Sequence, residues 1–268
     1  MFGKRLLSGM ILILIALATI ISGSYILFVT LLITSLIGVS ELYRVTGVQQ
    51  KGTYLLAGIG YLGVLSYYFL LLFNWEAYSM IDVIFILVIF MFVYVFAFPK
   101  YQAAQIMAAF FGVVYVAVML SYIYQTRNLE NGAFLVWLIF ICSWGCDTCA
   151  YCVGMLIGKH KMAPKLSPKK SIEGAIGGVL GAALIGAAYA AVIGTYLPGG
   201  SPIWEYALIC AIGALISMVG DLAASAIKRN HEIKDYGTLI PGHGGILDRF
   251  DSVIFTAPII YFLSLFLG

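Results

Sequence analysis

The residues best suited to chemistry are four aspartates near the C-terminal end of the chain. Asp221, Ser225 and Lys228 lie at i, i+4 and i+7, so a carboxylate, a hydroxyl and an ammonium share one helix face. Asp248 and Asp251, at i and i+3, share a face at the start of the next predicted helix. Because Mg²⁺ selects carboxylate oxygens, we expect Asp221 and Asp248 to converge on a divalent cation, with Asp251 as a further ligand. Helix capping is the alternative role for Asp248 and Asp251.

Cationic side chains and a glycine-rich turn separate these aspartates. The backbone amides of Gly244 and Gly245 can approach an anion closely, and His243 between glycines is a candidate for substrate contact, as is Ser225. Carboxylates for a metal with cations around them are typical of a polyphosphate site. A positive loop that binds anionic lipid headgroups would explain the cations but not the aspartates or the glycines. The cationic candidates for catalysis and phosphate contacts are Lys228, Arg229, Lys234 and Arg249.

A second polar segment begins inside an apolar stretch. Asp147, Tyr151, Gly154 and Gly158 lie at i, i+4, i+7 and i+11, on one face of a predicted helix. An unpaired charge inside a membrane span costs about 3 kcal/mol or more, so Asp147, with Tyr151 beside it, is predicted to bind substrate. The alternatives are a buried, hydrogen-bonded carboxylate for Asp147 and close helix packing for the two glycines.

Two lysines complete this segment. Lys169 and Lys170 follow Pro168 and precede the predicted entry to the next helix, a position that suits a triphosphate because lysine acts as a mobile point charge. Four cysteines nearby invite a metal interpretation. Fixed helical backbone, however, does not wrap four thiolates around one metal, and cysteine is a common small buried residue. We therefore assign no metal to Cys142, Cys146, Cys149 and Cys152.

The run S-A-I-K-R-x4-K-D-Y-G-x2-I-P-G-H-G-G-I-L-D-R-F-D, from Ser225 to Asp251, resembles the signature of the phosphatidate cytidylyltransferase (CDP-diacylglycerol synthase) family. The segment that begins at Asp147 resembles a second block of that family. The resemblance implies a polytopic enzyme that joins CTP to phosphatidic acid, releases pyrophosphate and gives CDP-diacylglycerol in phospholipid biosynthesis. It also implies a homodimer and dependence on a divalent metal, Mg²⁺, carried on positions matching Asp221 and Asp248.

The amino-acid composition indicates which structural elements position these residues. Of the 268 residues, 62% are hydrophobic and 10% charged, against about 45–50% and about 25% in soluble domains. This excludes a soluble globular protein and predicts an all-α, polytopic integral membrane protein. A net charge of +3 gives no basic surface of the kind that nucleic-acid binders carry. The predicted spans are nine: 6–21, 25–40, 54–73, 79–98, 102–124, 132–157, 175–197, 203–227 and 252–267.

Orientation follows from the basic residues. With a cytoplasmic N-terminus, every Lys and Arg except Arg127 falls on the cytoplasmic side, as basic residues near span ends do. We read the first apolar run as a retained helix rather than a signal peptide. The prediction is a bacterial inner (plasma) membrane enzyme with a cytoplasmic active site. Residues 1–130 form N-terminal membrane helices, and residues 131–268 form a catalytic region with cytoplasmic loops 158–174 and 228–251.

Two alternatives stay open. A polyprenol kinase, or another CDP-lipid synthase of the wider superfamily, would use similar residues with a different nucleophile. A secondary transporter would also place acidic residues in the membrane, but its polar residues should lie in broken helices near the midplane. In this chain the charges cluster at one predicted cytoplasmic edge.

Overall fold

The computed structural model describes residues 2–197, 200, 202–242 and 244–266, with side chains from residue 9 onward. The chain divides into two compact units: residues up to 121 with 233–249, and residues 122–232 with those from 250 onward. Within the described residues, seven helices are long and apolar enough to cross a membrane. The prediction of an all-α integral membrane protein is therefore confirmed.

The first unit consists of membrane helices and one long loop. A single residue, Gly23, separates its first two helices, and its φ of 59° lies in a region that glycine enters without steric cost. The predicted break at this position is confirmed. The helices of this unit are α1 (Phe2–Ser22), α2 (Ser24–Val45), α3 (Tyr54–Leu72), α4 (Ser79–Phe96) and the N-terminal part of α5 (Ala103–Arg127).

Tyr43 on α2 organises the core of the first unit. Its side chain is fully buried, and its hydroxyl donates a hydrogen bond of 2.5 Å to the carbonyl oxygen of Ala109 on α5. A methyl group at Gly60 on α3 or at Gly112 on α5 would collide with the tyrosine ring. Glycine at these two positions lets three helices pack around one buried aromatic side chain.

The second unit contains the remaining helices and a small sheet. A π-helical segment, Ile141–Gly145, interrupts the helix Gly132–Ile157 immediately ahead of Cys146 and Asp147, and such segments are frequent at functional sites. Strands β1 and β2 pair antiparallel and lead into the next helix. The elements are the end of α5, then α6 (Gly132–Ile157), β1 (Lys161–Ala163), β2 (Ser167–Ser171), α7 (Ile172–Ile193), α8 (Ile203–Asn230) and most of α9 (Leu247–Ser264).

Cysteines of α6 pack against glycines of neighbouring helices. A methyl group at Gly178 on α7 would lie 3.0 Å from the Sγ of Cys146, and one at Gly213 on α8 would lie 2.6 Å from the Sγ of Cys142. Both thiols are buried and free. The cysteines therefore fill space between closely packed helices, as small buried side chains do.

Three differences from the sequence prediction stand out. The seven candidate spans match the second to eighth predicted segments, whereas α1 contributes a shorter apolar stretch, Gly9–Ser22, and α9 begins with charged residues. The count of nine spans therefore stays a prediction. The segment predicted as a loop between α6 and α7 contains the β1–β2 hairpin. Helix α9 starts at Leu247, ahead of the predicted span 252–267, so Asp248 and Asp251 lie at the start of the helix, as the sequence predicts. Hydrogen bonds described below stabilise its first turn.

Candidate active site

A cavity of about 500 Å³ in the second unit collects most of the polar residues predicted in the segment after Asp147. It lies where the C-terminal half of α6, strand β2 and the start of α7 meet the C-terminal half of α8. Asp147 and Tyr151 line it from one helix face, as the i, i+4 spacing predicts. Its other polar lining residues are Ser167, Lys169, Lys170, Ser171 and Asp221.

Lys170 forms an ion pair with Asp221 in this cavity. Both side chains are 24% exposed, so the pair is only partly screened by water. Lys169, its neighbour on β2, also lines the cavity but is exposed to solvent. The two lysines therefore differ: Lys170 is held against the carboxylate of Asp221, whereas Lys169 is a solvent-exposed side chain at the cavity wall.

Close packing of α6 on α7 shapes the cavity floor. The Oγ of Ser171 accepts a hydrogen bond of 3.1 Å from the amide of Gly174 and caps α7. A methyl group at Gly154 would lie 3.0 Å from this oxygen, and one at Gly158 or Gly174 would also crowd Ser171 or the α6 backbone. Close packing of α6 on α7 thus explains Gly154, whereas Gly158 lies just past the end of α6, where a methyl group would meet the carbonyl oxygen of Gly154.

Glu173, in the first turn of α7, fixes the start of the hairpin. Its carboxylate accepts hydrogen bonds from the backbone amides of Lys159 and His160 and pairs with the His160 ring at 2.5 Å. An acidic residue is favourable at this end of a helix. Glu173 therefore holds the hairpin that carries both lysines, a role that the sequence did not indicate.

A second ion pair joins α8 to α9. The Nζ of Lys228 lies 3.9 Å from the Oδ2 of Asp251, and these side chains are 12% and 13% exposed. Asp251 lies outside the seven candidate spans, and its burial, reinforced by the negative charge of Asp221, raises the pKa of its carboxyl to about 7, with Lys228 opposing the shift. Asp147 adds a smaller increase. The negative charges of Asp221 and Asp147 therefore disfavour ionisation of Asp251.

In the first unit, Asp248 holds the signature loop, which we define as residues 233–242 and 244–249. Its side chain is 5% exposed, and its Oδ2 accepts hydrogen bonds from the amides of Tyr236 (2.7 Å) and Gly245 (2.9 Å). The turn of the loop is closed by a 2.9 Å bond from the amide of Ile240 to the carbonyl of Gly244, whose φ is 87°. The amide of Gly245 thus binds a carboxylate of this chain.

Glu41 on α2 contacts this loop, and the sequence analysis did not identify it. It is 1% exposed, and its two carboxylate oxygens accept hydrogen bonds from the amides of Ile246 (3.0 Å) and Leu247 (2.8 Å). These bonds satisfy the amides at the start of α9. The available signal was an acidic residue next to an apolar stretch, but its partners lie 205 and 206 residues away in sequence.

The remaining predicted site residues are dispersed. Ser225 is half-buried on α8, while Arg229 and Lys234 are exposed. The Nε of Arg249 is buried and has no hydrogen-bond partner among the described residues. His243 lies outside the described residues. The catalytic roles assigned to Arg229 and Arg249 and the substrate-binding roles assigned to Ser225, Lys234 and His243 remain predictions.

Asp221, Asp248 and Asp251 offer the carboxylate oxygen ligands that Mg²⁺ prefers. Across the described part of the chain, no three His, Cys, Asp or Glu side chains are placed to hold one metal ion. This is compatible with Mg²⁺, which commonly uses one or two carboxylates and completes its octahedron with water and substrate phosphates. Asp221 and Asp251 belong to one unit, and Asp248 belongs to the other. That Asp221 and Asp248 share an ion stays a prediction.

Comparison with known proteins gives a family. The sequence model of the Cytidylyltransferase family matches residues 3–267. The chain is similar to the phosphatidate cytidylyltransferase of Bacillus subtilis (strain 168), with 33% identity over 152 residues, which cover 56% of this chain and 55% of the relative. It is also similar to those of Synechocystis (35% identity; 53% of this chain, 46% of the relative) and Rickettsia felis (36%; 58% and 69%). The chain spans about half the length of the first two relatives.

Proposed function

Because the chain belongs to the Cytidylyltransferase family, we propose that it transfers the cytidylyl group of CTP to phosphatidic acid, giving CDP-diacylglycerol and pyrophosphate. One observation carries the proposal: two lysines and two carboxylates line one cavity beside membrane helices. The family match, over residues 3–267, includes all four of these residues. The names of the relatives supply the acceptor, phosphatidic acid.

The proposed reaction needs charge neutralisation more than a strong base. A phosphate oxygen of phosphatidic acid bonds to the α phosphorus of CTP, the bond from that phosphorus to the bridging oxygen breaks, and pyrophosphate leaves with the electron pair. The nucleophile is already anionic. The task of the protein is therefore to bring two polyanions together and to stabilise the negative charge that develops on the leaving group.

In this proposal Lys169 and Lys170 bind the phosphates of CTP. Lys170 is held by Asp221, so its ammonium is positioned before the nucleotide arrives, which lowers the ordering cost of binding. Lys169 is free to follow the phosphates from the cavity wall. Lys228, Arg229, Lys234 and Arg249 remain candidate phosphate contacts.

We also propose that the reaction uses Mg²⁺. In this proposal Asp221 and Asp248 are the Mg²⁺ ligands that the sequence signature indicates, and Asp251 is a further ligand. When bound, Mg²⁺ supplies charge stabilisation to the phosphates. The carboxylate oxygens of these residues are of the kind that Mg²⁺ selects.

The proposal places the enzyme in the inner membrane of a bacterium, as a homodimer that binds no nucleic acid. We infer nine spans, a cytoplasmic N-terminus and a cytoplasmic active site. The distribution of Lys and Arg along the chain supports this orientation. Phosphatidic acid would then reach the site from the inner leaflet, with its tails against the helices.

An acceptor comparison tests the proposed function. Purified protein in detergent would receive CTP and Mg²⁺ with phosphatidic acid, diacylglycerol or a polyprenol. We expect a CDP-lipid from phosphatidic acid and no product from the two alcohols. A phosphorylated polyprenol, with phosphatidic acid inert, would instead support the polyprenol kinase alternative.

A further inference from the structure

The carboxylate of Glu41 is committed to the backbone of the signature loop. It belongs to α2, and it is buried to 1% exposure, yet its hydrogen bonds go to two successive amides at the start of α9. Taking a carboxylate out of water is unfavourable unless hydrogen bonds replace the lost hydration. The burial of Glu41 is therefore compatible with folding only when the loop adopts this conformation.

The loop is shaped to receive this carboxylate at both of its ends. A methyl group at Gly237, near the beginning of the loop, or at Gly245, near its end, would collide with the Glu41 side chain. Neither glycine has a positive φ among the described residues, so backbone conformation does not demand glycine there. The absence of side chains at both positions is explained by close approach of Glu41.

Asp248 continues the same arrangement from inside the loop. It follows Leu247, whose amide Glu41 binds, and its own Oδ2 binds the amides of Tyr236 and Gly245. One carboxylate from α2 and one from α9 thus hold the loop together. Asp248 directly follows the two residues whose amides donate to Glu41.

We propose that Glu41 is a positioning residue for the transfer reaction: it fixes the signature loop and the first turn of α9, and so sets the orientation of Asp248 and Arg249. This rests on the proposed function. In this role Glu41 itself contacts neither substrate. A merely structural role would change stability alone, whereas positioning should change turnover, because small displacements of catalytic groups lower rates strongly.

The first test is Glu41→Gln, which preserves shape but has one acceptor oxygen for two amides. We expect kcat to fall about 100-fold, because a small misplacement of catalytic groups lowers the rate by about this factor. The KM for CTP should change less than about threefold. Asp82→Asn is the matched control, because Asp82 is a half-buried acid of the same unit whose carboxylate accepts from Ser66. Its kcat should match that of the wild type. Equal losses of kcat in both variants would overturn the proposal.

A double-mutant cycle tests the contact between Glu41 and Gly245 directly. Gly245→Ala should lower kcat about tenfold or more in the wild-type background, because the new methyl group meets the carboxylate. In the Glu41→Ala background the same change should cost less than about twofold, since the obstruction is gone. If the loss of kcat in the double variant equals the product of the losses in the two single variants, the contact does not affect turnover and the proposal is wrong.

Hydrogen–deuterium exchange separates this proposal from the proposed function. In Glu41→Gln, the amides of Ile246 and Leu247 should exchange at least about tenfold faster than in the wild type, while α7 exchanges unchanged. If the wild type shows no cytidylyl transfer but exchange accelerates, the proposed function fails and the loop-holding role stands. If the wild type is active and exchange in Glu41→Gln is unchanged, the positioning proposal fails alone.

Discussion

Replacing Lys170 with glutamine should weaken CTP binding much more than the same change at Lys169. The ammonium of Lys170 is paired with Asp221 and is 24% exposed, so a phosphate bound there would make a well-positioned, charge-assisted hydrogen bond. Such a bond contributes about 1.5–3 kcal/mol, which is a factor of about 10 to 150 in affinity. Lys169 is exposed, and an exposed charge contributes about 0–1 kcal/mol, a factor of at most about five.

The assay is steady-state transfer from labelled CTP in detergent micelles, with the KM for CTP and for phosphatidic acid determined separately. The KM for CTP should rise in Lys170→Gln, and the KM for phosphatidic acid should stay nearly constant. Lys161→Gln is the matched control, because Lys161 is an exposed lysine of the same hairpin that does not line the cavity. Its KM for CTP should equal that of the wild type.

Two results would refute this reasoning. If Lys161→Gln and Lys170→Gln raise the KM for CTP equally, the hairpin lysines provide general attraction to anions rather than a nucleotide site. If Lys170→Gln lowers thermal stability and leaves the KM for CTP unchanged, the Lys170–Asp221 pair is a structural ion pair only.

Two further predictions concern the carboxylates and the packing. Asp221→Asn or Asp248→Asn should lower turnover by orders of magnitude in a folded protein if the replaced residue binds Mg²⁺. Loss of a helix cap would instead cost about 1 kcal/mol of stability at most and leave turnover nearly intact. Turnover above about a tenth of wild type, which is a loss under about 1.4 kcal/mol, with unaltered Mg²⁺ dependence would show the metal assignment to be wrong. Gly174→Ala should destabilise the protein by about 1–3 kcal/mol, because its methyl group would lie 2.8 Å from the carbonyl oxygen of Ala150; an unchanged melting temperature in detergent would contradict the close α6–α7 packing.

Much of the helical architecture could be predicted because membrane helices are encoded locally. A long apolar stretch specifies a span without reference to the rest of the chain, and Gly23 marks the break between α1 and α2 by its own conformational freedom. The shared face of Asp147 and Tyr151 follows in the same way from helical periodicity. These features need only neighbouring residues.

The hairpin before α7 could not be predicted from local sequence. Pro168 lies within β2, and proline disfavours a strand because it lacks a backbone donor. The hairpin is held instead by contacts with helices, such as the 2.9 Å bond from the amide of Ile172 to the carbonyl of His160 and the bonds from Glu173. Partners of this kind become visible only when the helices are assembled.

The partners of the acidic residues were hidden for the same reason. The sequence identified Asp221 and Lys170 as separate candidates for metal and phosphate, but their pairing joins α8 to β2. Asp248 was predicted from its place in the signature, yet its two backbone partners depend on the fold of the loop. The local signal of Glu41 was only that of an acidic residue beside an apolar stretch, because its hydrogen-bond partners lie 205 and 206 positions away.

The most direct test of the proposed function is to ask which phosphorus of CTP enters the lipid. Purified protein would be incubated with phosphatidic acid, Mg²⁺ and CTP labelled at either the α or the γ phosphorus, and the lipid would then be extracted. The proposed cytidylyl transfer predicts α label in the lipid fraction and γ label in released pyrophosphate. Label from the γ phosphorus in the lipid, with none from the α phosphorus, would show a kinase reaction and contradict the proposal.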